Sequence, residues 1–305
     1  MTTVSNKRVL VTGAGGQLGR ELIAARFPGA EIVGLDRHQC DIENRGQLAE
    51  VFRRFRPNAV INAAAYTAVD RAELEAARAF QANATGVHNV AEEARAIGAR
   101  LIHVSTDYVF DGAESSPYAP DARPSPLGVY GSSKLAGETA FLASGVNGVV
   151  VRTAWLYSAG GKNFLRTILG MLGSGRDLRV VSDQIGTPTS ASELATVLLQ
   201  SALDSTLNGV VHWTNAGMCS WYDFAVAIRG LAKDRSITTS EVRIIPIRTE
   251  DYPSVARRPA YSVLDSSLLW SIYGQPNHWR DALANVLDRA VGGNVAGNNH
   301  TVVGE

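Results

Sequence analysis

Five short apolar runs recur in the first half of the chain, at residues 8–11, 31–35, 59–62, 101–105 and 148–152, and none alternates apolar with polar positions. Strands covered on both faces read this way, whereas a strand with one wet face alternates. Between them lie stretches of helical spacing at residues 17–26, 45–55, 72–97 and 129–143, with Leu48, Val51, Phe52 and Phe55 along one side of the second. This repeated alternation of strand and helix predicts an α/β fold built on a doubly wound parallel sheet of the Rossmann kind. After residue 152 the rhythm loosens into a helix at 163–172, a strand at 179–181, a helix at 190–203 and a last helix at 279–289. We expect a first domain over residues 1–155, to which a segment of about 186–215 can return, and a smaller α/β C-terminal lobe over 156–290. Residues 291–305, rich in Gly and Asn and without periodicity, are expected to be a disordered tail.

The chain has 305 residues, 45% of them hydrophobic, enough for one large or two coupled domains. Its 29 basic side chains balance 29 acidic ones, so no global field draws it to nucleic acid or to an anionic membrane, and any anionic ligand must be held locally. No apolar run approaches the length of a membrane span. The only cysteines, Cys40 and Cys219, offer neither a disulfide framework nor metal-ligand spacing, and a reducing cytoplasm is the simple inference.

The first run leads into Gly13-Ala14-Gly15-Gly16-Gln17-Leu18-Gly19, a glycine turn between a buried strand and a helix. That context suits a dinucleotide: Gly13 for the tight turn, Gly16 for backbone approach to a pyrophosphate, Gly19 for close helix packing, with Gln17 and Leu18 opening the helix. The first domain is therefore expected to bind NADPH or NADH. Asp36, 17 positions beyond Gly19 and at the end of the second strand, can accept the adenosine ribose hydroxyls and favours NADH. Arg37 beside it can pair a 2′-phosphate and favours NADPH, so both cofactors are expected. Asp41 and Ile42 either edge the adenine pocket or, for Asp41, cap the next helix. The small residues of Ala63-Ala64-Ala65-Tyr66-Thr67 after the third strand permit close approach of the cofactor.

Thr106 ends the fourth strand, and Tyr130 and Lys134 lie four residues apart at the start of a helix. Such spacing puts both side chains on one face, where an ammonium can favour the phenolate. Moving a tyrosine about three pH units toward neutrality needs roughly 4 kcal/mol of differential stabilisation. Thr106 can hydrogen-bond a carbonyl and orient it toward the phenol. Taken with the glycine turn, these parts describe hydride chemistry at a carbonyl.

This constellation resembles the extended short-chain dehydrogenase/reductase superfamily. Residues 63–70 (AAAYTAVD), 105–112 (STDYVFDG), 152–157 (RTAWLY), 183–189 (DQIGTPT) and 256–259 (ARRP) are similar to those of the dTDP-4-dehydrorhamnose reductase family within it, over most of the chain to about Arg289. The resemblance implies reduction of a C4 ketone on a nucleotide-sugar substrate, with Tyr130 as proton donor and Lys134 holding the nicotinamide ribose. It also implies that Thr106, Asp107 and Trp155 contact the sugar. Arg258 would meet the nucleotide end or make a structural ion pair. Asp107 is followed by Tyr108, so the second carboxylate that a 4,6-dehydratase uses is missing. Some members of the family bind magnesium between subunits through glutamates; Glu21 and Glu193 match two such positions, but Arg289 falls near the third. No metal, and a monomer or weak homodimer, are therefore expected. Intact Thr106, Tyr130 and Lys134 argue for an enzyme over a non-catalytic, NADP-binding regulatory subunit on the same fold.

Overall fold

A computed structural model of the chain describes residues 7–239 and 241–297. Its centre is a six-stranded parallel sheet formed by β1 (Lys7–Thr12), β2 (Ala30–Leu35), β3 (Ala59–Asn62), β4 (Arg100–Thr106), β5 (Gly148–Thr153) and β7 (Gly209–His212), in the order β7-β5-β4-β3-β1-β2. The strand order reverses between β1 and β3, so the crevice above the carboxyl ends of β1, β3 and β4 is where such a sheet takes a ligand.

Successive side chains of each strand go to opposite faces. Val9, Val11, Ile61, Ile102 and Val151 join α1 (Gln17–Ala24) and α6 (Ala191–Leu203) on one side. Leu10, Val60, Leu101 and Val150 meet α2 (Arg45–Phe55), α3 (Gly86–Ala96) and α4 (Val129–Ser144) on the other. Each fully buried Val or Leu contributes roughly 1.5–3 kcal/mol, and both faces must be covered for the sum to be realised. This explains the absence of alternation in the strand sequences.

A separate core gathers Leu165 of α5 (Phe164–Leu172), Leu178 of β6 (Leu178–Val181), Phe224 and Ile228 of α7 (Trp221–Asp234), and Trp279, Leu283 and Leu287 of α8 (Trp279–Gly297) around Tyr157. Within this lobe β6 pairs in parallel with β8 (Ile244–Ile247). Ser220 and Asp223 form a capping box that starts α7. The spacing expected for one helix over 72–97 is interrupted: a helix at Ala76–Phe80 runs into a π-turn at Gln81–Thr85 before α3. Asn83 accounts for the wide turn, since its side chain accepts from the Tyr66 amide at 2.8 Å and donates to the Tyr66 carbonyl at 3.0 Å and Ser133 Oγ at 2.9 Å. The last helix extends to Gly297 although residues 291–297 were expected to be irregular, because buried Trp279, Leu283 and Leu287 anchor its first turns. The remainder of that expected tail, 298–305, lies outside the described residues. Among the described residues no helix is long and apolar enough to cross a membrane.

Candidate active site

Three adjoining cavities run along the crevice. The central one, of about 600 Å³, is lined by Gly16, Gln17, Leu18 and Gly19 from the glycine turn, by Ala65 and Thr67 after β3, by Thr106 and Asp107 after β4, by Tyr130 and Lys134 of α4, and by Trp155 after β5. Another, of about 230 Å³, is lined by Gly13, Gly16, Arg37, Asp41, Ile42, Ala64, Ala65 and Tyr66. The third, of about 340 Å³, lies on the lobe side, with Arg258 and Arg179 among walls that include Phe164, Ile168 and Tyr252; Tyr108 and Trp221 border both it and the central cavity.

Gly13 has φ +71°, and a Cβ there would stand 2.6–2.8 Å from the backbone of Ala63 and Ala64. Glycine thus serves both the turn and the close approach of two chain segments. Gly16 caps α1 without a side chain, and no acidic residue occupies the first turn, so the helix amides face the crevice free of a competing carboxylate. Asp36, by contrast, lines neither of the first two cavities. Its Oδ1 accepts from the amides of His38 and Gln39 at 2.9 and 3.1 Å and so closes the turn after β2. Arg37 is paired with Asp41 and Glu43 at 3.4 and 3.0 Å. Asp41 Oδ1 also accepts from the Glu43 amide at 3.0 Å, a local turn role that accompanies its place on the cavity wall.

Tyr130 stands at the wall of the central cavity with Thr106, whose hydroxyl donates to Asp107 Oδ1 at 3.0 Å. Burial pushes the Tyr130 phenol up to about 12; the nearby Thr106 hydroxyl opposes this and the Asp107 charge adds to it. The expectation that Lys134 draws this phenol toward neutrality is corrected here. Lys134 is 2% exposed and its Nζ donates to the Val104 carbonyl at 2.7 Å, while burial lowers its own pKa to about 8 against the favourable charge of Glu138. Desolvation of both groups outweighs the one-turn spacing on the helix. Glu138 is itself engaged by Arg152 at 2.7 Å in a pair that is almost fully buried. Asp107 is 1% exposed; burial raises its carboxyl to about 6, against hydrogen bonds from Ser262 and Thr106, and its Oδ2 has no partner.

Trp155 adopts φ +46° and stacks on Trp221 with ring centroids 3.5 Å apart. A Cβ on Gly186 would strike its indole, so the glycine of the 183–189 segment makes room for the ring. A bulky residue with positive φ at a cavity wall is the kind of strain that functional sites retain. Trp221 and Tyr108 were not picked out as site residues, although the capping box ahead of Trp221 marks it as the first residue of a helix. Arg258 is ion-paired with Asp70 at 2.8 Å and also borders the lobe-side cavity. At the positions compared with a magnesium site, Arg289 reaches Glu21 Oε2 at 3.5 Å, and Glu193 accepts from Asn215 and Asn277 at 2.8 and 3.0 Å. A guanidinium in that place does not fit a cation, and among the described residues no group of three or more His, Cys, Asp or Glu side chains is arranged to hold a metal.

The RmlD substrate binding domain family matches residues 7–291. This chain belongs to that family. The dTDP-4-dehydrorhamnose reductase of Aggregatibacter actinomycetemcomitans is 40% identical over 287 residues, covering 92% of this chain and 98% of the relative. The protein of that name from Mycobacterium tuberculosis strain H37Rv is 41% identical over 290 residues, covering 92% and 93%. The crystal structure of the Bacillus anthracis dTDP-4-dehydrorhamnose reductase in complex with NADP superposes with a TM-score of 0.88 at 35% identity, covering 93% of this chain and 99% of that one. The RmlD fold and the doubly wound sheet agree.

Proposed function

We propose that the chain is an NAD(P)H-dependent oxidoreductase that reduces the C4 ketone of dTDP-4-dehydro-L-rhamnose to give dTDP-L-rhamnose. The observation that carries this reading is the convergence of Thr106, Tyr130, Lys134 and Trp155 on one cavity continuous with the glycine turn. The names of the relatives support the substrate, and the NADP complex of the Bacillus anthracis protein supports the cofactor.

Gly13, Gly16, Gln17, Leu18 and Gly19 with the α1 amides would hold the pyrophosphate. Asp41, Ile42, Ala64, Ala65 and Tyr66 would frame the adenosine end, Arg37 would sit beside its ribose, and Thr67 would face the central cavity. Asp36 would act through the turn that it closes. When bound, NADPH or NADH supplies the hydride. Tyr130, protonated at neutral pH because burial raises its pKa, is poised to donate to the carbonyl oxygen, and a general acid of this kind contributes about 10²–10⁴-fold. Thr106 would orient that oxygen, and Lys134 would hold the ribose. Trp155 and Asp107 would contact the sugar. Arg258 would meet the diphosphate, for which a guanidinium at an aromatic and aliphatic cavity is suited. We take residues 1–155 with the α6–β7 segment as the cofactor-binding half and the rest as the substrate lobe, and we place a monomer or weak homodimer in the cytoplasm.

The test is loss of reduced-nicotinamide absorbance with dTDP-4-dehydro-L-rhamnose, with the product identified by NMR and Tyr130→Phe run alongside. Turnover that falls at least about a hundredfold in the variant, with NADPH affinity retained, is expected. Wild-type protein that binds NADPH but does not turn over this sugar would refute the substrate.

A further inference from the structure

The segment 254–258 is tied to the far end of the loop that follows β3 by a single carboxylate. Asp70 lies three residues past Thr67, in the short helix Val69–Ala72. Its Oδ2 accepts from Arg258 Nη2 at 2.8 Å, and its Oδ1 accepts from Ser254 Oγ at 3.0 Å and from the Ala256 amide at 3.1 Å. Arg258 Nη1 in turn donates to Ser254 Oγ. The Arg258 side chain is 20% exposed, against 45% for Asp70, so the guanidinium is the inner member of the pair. It shares the wall of the lobe-side cavity with Tyr108, whose ring stands edge-on to Tyr130 with centroids 5.6 Å apart. Although burial pushes the Asp70 carboxyl up, its hydrogen bonds from Arg258 and Ala256 hold it below the usual carboxylate range.

We propose that Asp70 is a positioning residue: it fastens the substrate-side segment 254–258 to the cofactor-side loop and aims Arg258 at the anionic end of a nucleoside diphosphate in the lobe-side cavity. This rests on the nucleotide-sugar reading given above. An isolated exposed ion pair would do little, but here one carboxylate gathers three donors from five consecutive residues. A free arginine loses much rotamer freedom when it grips a ligand, and an arginine already held by Asp70 has lost most of it beforehand.

The experiment is calorimetric titration of dTDP into NADP⁺-saturated wild type, Asp70→Asn, Arg258→Ala and the double variant, with NADP⁺ titrated into each apo form and melting temperatures recorded. Asp70→Asn should weaken dTDP roughly tenfold, the scale of arginine rotamer entropy. It should leave the NADP⁺ affinity within about twofold and add almost nothing in the Arg258→Ala background, since Asp70 acts through Arg258. That non-additivity is what a merely structural role would not produce. Unchanged dTDP affinity in Asp70→Asn, or an equal loss for NADP⁺, overturns the proposal alone; a wild type that does not bind dTDP overturns it together with the nucleotide-sugar reading.

Discussion

Replacing Lys134 with methionine should flatten one specific part of the dependence of stability on pH. The ammonium is 2% exposed, and its support consists of the Val104 carbonyl at 2.7 Å and a glutamate already engaged by Arg152. Burial takes the lysine from 10.5 to about 8, which at roughly 1.4 kcal/mol per pH unit is a folding penalty of about 3 kcal/mol. Below pH 8 the lysine is protonated in both the folded and unfolded chain, and the penalty is fully present. As pH rises through 8 the folded lysine releases its proton while the unfolded one keeps it to 10.5, so the unfolded state binds more protons and stability rises with pH. The variant has no such group. Urea unfolding followed by circular dichroism at intervals from pH 7 to 10.5 should therefore show wild type gaining about 3 kcal/mol relative to Lys134→Met. Parallel curves for the two proteins would refute the reasoning, for they would mean that the ammonium is solvated and not desolvated at the cavity wall. Activity should be lost in the variant at every pH.

Glu138→Gln should cost about 3–5 kcal/mol in urea denaturation at neutral pH, because it leaves the Arg152 guanidinium buried beside an uncharged partner; a loss below 1 kcal/mol would show that the pair is dispensable. The pH profile of kcat/KM should fall on its acid side as Asp107 takes up a proton near 6, and Asp107→Asn should abolish that limb whatever its residual rate. An acid limb that survives the substitution would assign it to another group.

The carboxyl ends of β1, β3 and β4 could be placed from the chain because buried parallel strands are continuous apolar runs, and glycines, small residues and hydroxyls follow them directly. The split of the 72–97 stretch could not be, since it depends on Asn83 finding Tyr66 and Ser133, partners remote in sequence. Trp221 escaped notice for a similar reason: only the stack on Trp155 brings it to the cavity. Asp36 shows the converse, a residue well placed by its strand whose carboxylate is taken up by its own turn.

Period, length and turn chemistry are local, and they alone determined the doubly wound sheet, the glycine turn, and the one-face pairing of Tyr130 with Lys134. The tertiary structure decided what those groups are chemically. Protonation follows from desolvation and from charges brought from elsewhere in the chain. The same spacing that predicts a tyrosine lowered by a lysine instead yields, once both are buried, a phenol raised to about 12 beside a lysine lowered to about 8. It also decided that Arg258 faces Asp70 across 188 positions, because hydrogen-bond partners in a folded chain are set by packing and not by distance along the sequence.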